Sequence, residues 1–142
     1  MPIVQVSILQ SEDAEQHLKL GRALAALRDR NVAIVGSGFA SLHNFAIMRP
    51  VLSGGAPAPA MQRKFDEWSA ALAEAVLQDK VDDRAAKLVD WRGLPHAYDM
   101  HPNGGADHFM PLLVCAGAAG DGTGKSYVDD FGGVPIWSFY WE

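Results

Sequence analysis

Ile3, Val4, Val6, Ile8 and Leu9 crowd β-branched and apolar residues into the start of the chain, and this run predicts a strand over residues 3–9. Ser11 then reads as the N-cap of an amphipathic helix. Its apolar stripe is Leu20, Ala23, Leu24 and Leu27, at the i, i+3, i+4, i+7 spacing of one helical face, and Asn31 ends it. Residues 32–35 form a second short apolar strand that runs into Gly36-Ser37-Gly38, completing a strand, helix, strand unit. In open α/β sheets ligands gather outside the carboxyl ends of strands. Residues 36–44 are therefore the first place to look for chemistry, and His43 lies among them.

Residues 53–59, with two glycines and two prolines, are a loop too short to link domains. Beyond it Phe65, Trp68, Leu72 and Val76 recur at helical spacing. A shorter helix is predicted over residues 83–91, stopped by Gly93 and Pro95. Residues 96–108 are polar and carry His96, Asp99, His101, Asp107 and His108 around Gly104-Gly105. An apolar helix over residues 109–119 and a turn over 120–124 follow. Residues 127–141 read as two strands around Gly132-Gly133, the second with aromatic side chains on both faces. The class expected from this order is α/β, a mixed sheet flanked by helices.

Composition narrows the picture. At 142 residues, 49% hydrophobic and 20% charged, the chain is expected to form one domain over residues 1–142. The net charge is −5 and the 12 Lys and Arg are scattered, which argues against nucleic acid or acidic lipid as a partner and leaves small molecules. Cys115 is the sole cysteine, so an internal disulfide and multi-cysteine metal clusters are excluded, and a small buried hydrophobe is expected there. No apolar run approaches the roughly 20 residues of a membrane span, and the first residues lack the basic stretch of a signal peptide, so a cytoplasmic protein is expected. Gly36-Ser37-Gly38 lacks the third glycine and the Lys-Ser/Thr of a phosphate loop and reads as a tight turn.

Several blocks occur in one order: Val4-Gln5-Val6-Ser7, the stretch from Leu18 through Ala26-Leu27-Arg28, Val35-Gly36-Ser37-Gly38 with His43-Asn44, and Phe65-Asp66-Glu67-Trp68. His101-Pro102, then Asp107-His108-Phe109-Met110-Pro111-Leu112-Leu113 and Ala116-Gly117-Ala118 complete the series. Together they resemble the C-terminal half of the class III extradiol ring-cleavage dioxygenases of the 4,5-DOPA type, with a closing aromatic strand similar to that of fungal-looking members. The resemblance implies a truncated version of that fold, a non-haem Fe(II) or Zn(II) held by histidines, and extradiol opening of a small catecholic ring. It also implies His43 as a catalytic acid/base and His108 as both catalytic residue and metal ligand, with Asp107 beside it as a hydrogen-bond acceptor.

Complete members are roughly twice as long and take their first histidine ligands from the other half. Here the only histidine before His43 is His17, expected to be exposed on its helix. A third ligand would come from His101, Asp99 or His96, or from another chain; His101 is the candidate second metal ligand, although solvated loop polarity is the favoured reading of His96 and His101. Ser37, Asn44, His101 and Trp137 are the candidate substrate contacts, and Asn103-Gly104-Gly105 lengthens the turn ahead of Asp107. Three functions stay open. One is an extradiol dioxygenase-like enzyme on a phenolic, catecholic or enolic substrate. Another is a metal-free isomerase, cyclase or hydrolase with His43 and His108 as acid and base. The last is a non-catalytic dimerising remnant. A homodimer is expected under each, because the strand at Ile3 would leave a sheet edge uncovered.

Overall fold

The structure is a computed structural model and describes residues 2–142. In chain order the elements are α1 (Ala14–Leu24), α2 (Phe45–Leu52), α3 (Pro59–Val76), α4 (Val81–Val89), α5 (Ala97–Met100), α6 (Met110–Ala118), β1 (Lys125–Phe131) and β2 (Val134–Tyr140). The α/β class stands: six helices flank a two-stranded antiparallel sheet among the described residues, in keeping with a truncated version of the fold that the resemblance implies. None of the described helices is long and apolar enough to cross a membrane.

The hairpin follows from its turn. Gly132 and Gly133 both take positive φ, 61° and 86°, the geometry that a tight two-residue connection demands and that glycine adopts without a Cβ penalty. The register runs from Phe131↔Val134 to Lys125↔Tyr140. The strands predicted over residues 3–9 and 32–35 are not formed; neither segment has a ladder partner among the described residues. A strand is stabilised by its neighbour, and these segments have none, so Ile3 and Val4 are 86% exposed and Val35 84%. Two of their amides find other acceptors: Leu9 N donates to His17 Nε2 at 3.3 Å and Val32 N to Leu27 O at 3.2 Å.

α1 starts at Asp13 rather than Ser11, because the Asp13 carboxylate accepts from Gln16 N at 2.9 Å. A 3-10 turn, Ala25–Arg30, extends it to Asn31, which closes the helix in the left-handed region at φ 60°. Its buried face is Ala14, His17, Leu18 and Gly21, rotated from the predicted leucine stripe. Backbone proximity explains the rotation. A Cβ on Gly21 would overlap the Val114 carbonyl oxygen, and one on Gly117 would overlap that of Leu18, so α1 and α6 meet main chain to main chain through reciprocal glycines. His17, expected at the surface, is fully buried; its Nδ1 donates to Asp13 O at 2.7 Å while Nε2 holds the Leu9 amide.

α3 buries Phe65, Trp68, Leu72 and Val76 as their spacing predicts. With Leu88, Trp91, Met100, Phe109, Met110 and Leu113 they make the core. α4 adds a buried cation, Arg84. It donates to the carbonyls of Val76, Ala116, Gly120, Gln78 and Gly122 at 2.7–3.2 Å and lies 5.1 Å from the centre of the Trp141 ring. Two of these oxygens belong to the last turns of α3 and α6, where unpaired carbonyls and the helix dipole favour positive charge.

Candidate metal centre

His43 is held by its main chain before its side chain does anything. Its amide donates to Met100 O at 2.9 Å. Two residues earlier the buried Ser41 hydroxyl accepts from Trp137 N at 2.8 Å, fastening the segment to β2. One residue later Asn44 caps α2, its Oδ1 accepting from Ala46 N at 3.0 Å, while its Nδ2 donates to Asp99 O at 2.7 Å. The pattern of apolar positions gives no sign of α2, which is eight residues long and contains Pro50, but the Asn44 cap was a readable signal.

His108 arrives from the opposite side, just ahead of α6. Its carbonyl accepts from Phe39 N at 2.9 Å. Gly36 and Gly38 make that approach possible: a Cβ on Gly36 would lie 2.7 Å from Pro111 O, and one on Gly38 would collide with His108 O. Neither has positive φ, so these glycines serve close passage rather than the tight turn expected of them.

The two imidazoles stack at 3.9 Å between ring centres with planes 12° apart, and Phe45 meets the His43 ring edge-on at 5.1 Å. Asp107 spans the pair, with Oδ1 3.5 Å from His43 Nδ1 and Oδ2 3.7 Å from His108 Nε2. His43 Nδ1 also faces Gly105 O at 3.3 Å. A carbonyl accepts only, so the proton belongs on Nδ1 and the lone pair on Nε2 is left for another partner. The His43 side chain is 13% exposed and that of His108 46%, so the site is open on the His108 side.

One donor atom from each of His43, Asp107 and His108 lies within 4.8 Å of the others. Two imidazoles and a carboxylate match in kind the donor set that suits divalent iron, and each also ligates zinc. Metal–nitrogen bonds of about 2.1 Å require one stacked ring to turn so that both lone pairs meet a common point. His108, half-exposed, is the less enclosed of the two rings.

The other predicted residues are dispersed. Trp137 joins His108, Gly38 and Leu112 along a trough of about 1300 Å³ that runs beside β2. Ser37 is exposed and off that trough, and Asn44 is engaged as a cap. His101 lies outside the group. It is fully buried against Trp68, Trp91 and Phe109, with ring centres 5.1–5.9 Å away, and Nε2 donates to Ala40 O at 2.9 Å while Nδ1 has no partner among the described residues. Burial lowers its pKa from 6.5 to about 4, against the opposing pull of the Ala40 carbonyl. His96 pairs with Glu67 at 2.7 Å, and Asp99 with Lys64 at 2.8 Å, on the surface. Burial raises the Cys115 thiol above its ordinary value, so it is an apolar filler rather than a thiolate.

Residues 1–137 match the family described as the catalytic LigB subunit of aromatic ring-opening dioxygenase. The chain is 47% identical to the dioxygenase tasH of Hapsidospora irregularis, an alignment covering 99% of this chain and 44% of that protein. It is 32% identical to the 4,5-DOPA dioxygenase extradiol of Beta vulgaris (99% and 48% covered) and 34% to that of Escherichia coli K12 (83% and 40%). The chain thus spans less than half the length of these curated relatives, and no solved structure matches it.

Proposed function

Because the chain belongs to the LigB aromatic ring-opening dioxygenase family, we propose that it contributes a metal-dependent site for extradiol opening of a small catecholic or related phenolic or enolic ring. The observation that carries this reading is the meeting of His43, Asp107 and His108, the last of which lines the trough. These three residues would hold Fe(II) or Zn(II). Bound there, a divalent ion supplies Lewis acidity toward a phenolate and, if it is iron, access to dioxygen chemistry. The protein's own part is orientation and proton placement. The proton on His43 Nδ1, turned toward Gly105 O and Asp107, fixes that ring. Leu112 and Trp137 give a planar substrate an apolar bed beside His108.

Metal analysis after anaerobic reconstitution, together with oxygen uptake in the presence of catechols, tests the reading. The expected result is one metal per site and catechol-dependent oxygen consumption, reduced at least 100-fold in His43→Ala and His108→Ala. Protein that takes up no metal and consumes no oxygen counts against it. The unlike exposure of two stacked histidines favours a second reading, an acid and base pair working without metal. Catalysis that survives chelation but disappears in both alanine variants would select it. A homodimer also belongs to the proposal, supported by the exposed Ile3, Val4 and Val35 in segments whose backbone lacks a ladder. Sedimentation at micromolar concentration should give twice the chain mass; a monomer would refute that part.

A further inference from the structure

We propose that Glu12 and Arg92 form a clamp that positions the loop bearing the metal centre, so that metal affinity depends on two side chains that belong to no part of the donor set. The inference rests on the reading of His43, Asp107 and His108 as that centre. Glu12 precedes α1 and is far in sequence from everything it touches. Its Oε1 accepts from Ala106 N at 2.9 Å and its Oε2 pairs with Arg92 Nη2 at 2.7 Å. Arg92, beyond the end of α4, donates through Nη1 to His101 O and through Nη2 to Pro102 O at 3.4 Å. Its guanidinium lies 3.9 Å from the centre of the Trp91 ring and 4.8 Å from that of Tyr98, which leaves the fork little freedom.

One ion pair therefore grips both ends of a single turn, the carbonyls where it begins and the amide where it closes. Between those ends lie Asn103-Gly104-Gly105, the residues that lengthen this turn. Gly104 takes φ 70° and Gly105 N donates back to Pro102 O at 3.0 Å. Two of the three donors, Asp107 and His108, leave the turn directly, and Gly105 O faces Nδ1 of the third, His43. The pair is suited to holding position because its side chains are only 29% and 20% exposed, where salt screens it less than a surface pair. Burial pushes the Glu12 carboxyl up, but the Ala106 and Gly104 amides and Arg92 outweigh it and keep the group below its ordinary value, ionised at neutral pH. Partners that orient metal ligands typically govern affinity by 10- to 100-fold, roughly.

The test is Zn²⁺ affinity of the full chain, by competition with a chromophoric chelator at pH 7, beside amide hydrogen exchange over residues 105–108 in metal-free protein. Glu12→Ala is expected to weaken Zn²⁺ binding by about tenfold or more and to speed exchange at Ala106. Glu12→Gln, whose amide oxygen still accepts from Ala106 N, should recover part of both. Arg84→Lys is the control: it loosens the far end of α6, lowering the melting temperature while leaving Zn²⁺ affinity unchanged. Affinity for Zn²⁺ in Glu12→Ala within threefold of wild type overturns the proposal, as does an equal loss in Arg84→Lys, which would make the effect one of global stability. Should wild type bind no Zn²⁺, the reading of the metal centre fails by itself, and unchanged exchange in Glu12→Ala then overturns the clamp separately. If Glu12→Ala does not fold, Glu12→Gln and Arg92→Lys carry the same comparison.

Discussion

Acidification from pH 7.5 to 4.5 is expected to cost this fold about 2.5 kcal/mol through one side chain, His101. The ring has no exposed surface, three aromatic neighbours and one hydrogen bond, so a charge on it has nowhere to be solvated. Desolvation is the main reason its folded pKa falls to about 4, the charge of Arg92 adds to it, and the Ala40 hydrogen bond opposes it. The folded pKa lies below the unfolded one, so protons bind the unfolded chain first. Stability is complete above 6.5, falls as the pH drops through the interval, and is lost in full below about 4, where both states are protonated. At about 1.36 kcal/mol per pH unit the interval is worth about 3.4 kcal/mol, with about 1.4 gone by pH 5.5 and about 2.5 by pH 4.5. Urea unfolding followed by tryptophan fluorescence, at four pH values from 7.5 to 4.5, measures it. His101→Gln keeps a donor for Ala40 O and cannot titrate. The variant should be less stable at pH 7.5 yet lose about 2.5 kcal/mol less than wild type by pH 4.5. Stability curves that stay parallel within about 0.5 kcal/mol would refute the argument, since the other acidic and histidine groups are common to both proteins.

Gly117→Ala places a methyl group against the Leu18 carbonyl and should lower stability by about 2 kcal/mol, read as a shift in urea midpoint at unchanged slope. Arg84→Met leaves five carbonyl oxygens without their donor and should cost about 3 kcal/mol or more; a loss under about 1 kcal/mol would mean that water replaces the guanidinium. Zn²⁺ at a hundred times its dissociation constant should add about 2.7 kcal/mol to wild-type stability and nothing to His108→Ala.

The parts of the fold that could be read ahead of the structure were those determined by local periodicity. Phe65, Trp68, Leu72 and Val76 repeat at helical spacing and are buried on α3, and Gly132-Gly133 marks the hairpin turn. What escaped was determined by contacts between distant segments. The leucines of α1 suggested the wrong face because nothing local reveals that Val114 and Leu18 carbonyls press on Gly21 and Gly117. Residues 3–9 and 32–35 have the composition of strands, but strand formation depends on a neighbour that composition does not supply. In the site, Asp107 was visible beside His108, yet its span to His43 depends on a turn tied to Glu12 across the fold. His101 shows the converse: a polar residue in a polar stretch, placed in the core by the three aromatic rings around it.

The glycine contact between α1 and α6 reaches beyond stability. Side chains normally cushion a helix pair, taking up small displacements by changing rotamer. Here no such cushion exists at Gly21 and Gly117, so α6 rests directly on the α1 main chain, with His108 two residues before its first turn. The helix that begins at Asp13, next to Glu12, and the helix that follows His108 therefore share one main-chain seat, where a misfit has no rotamer to absorb it.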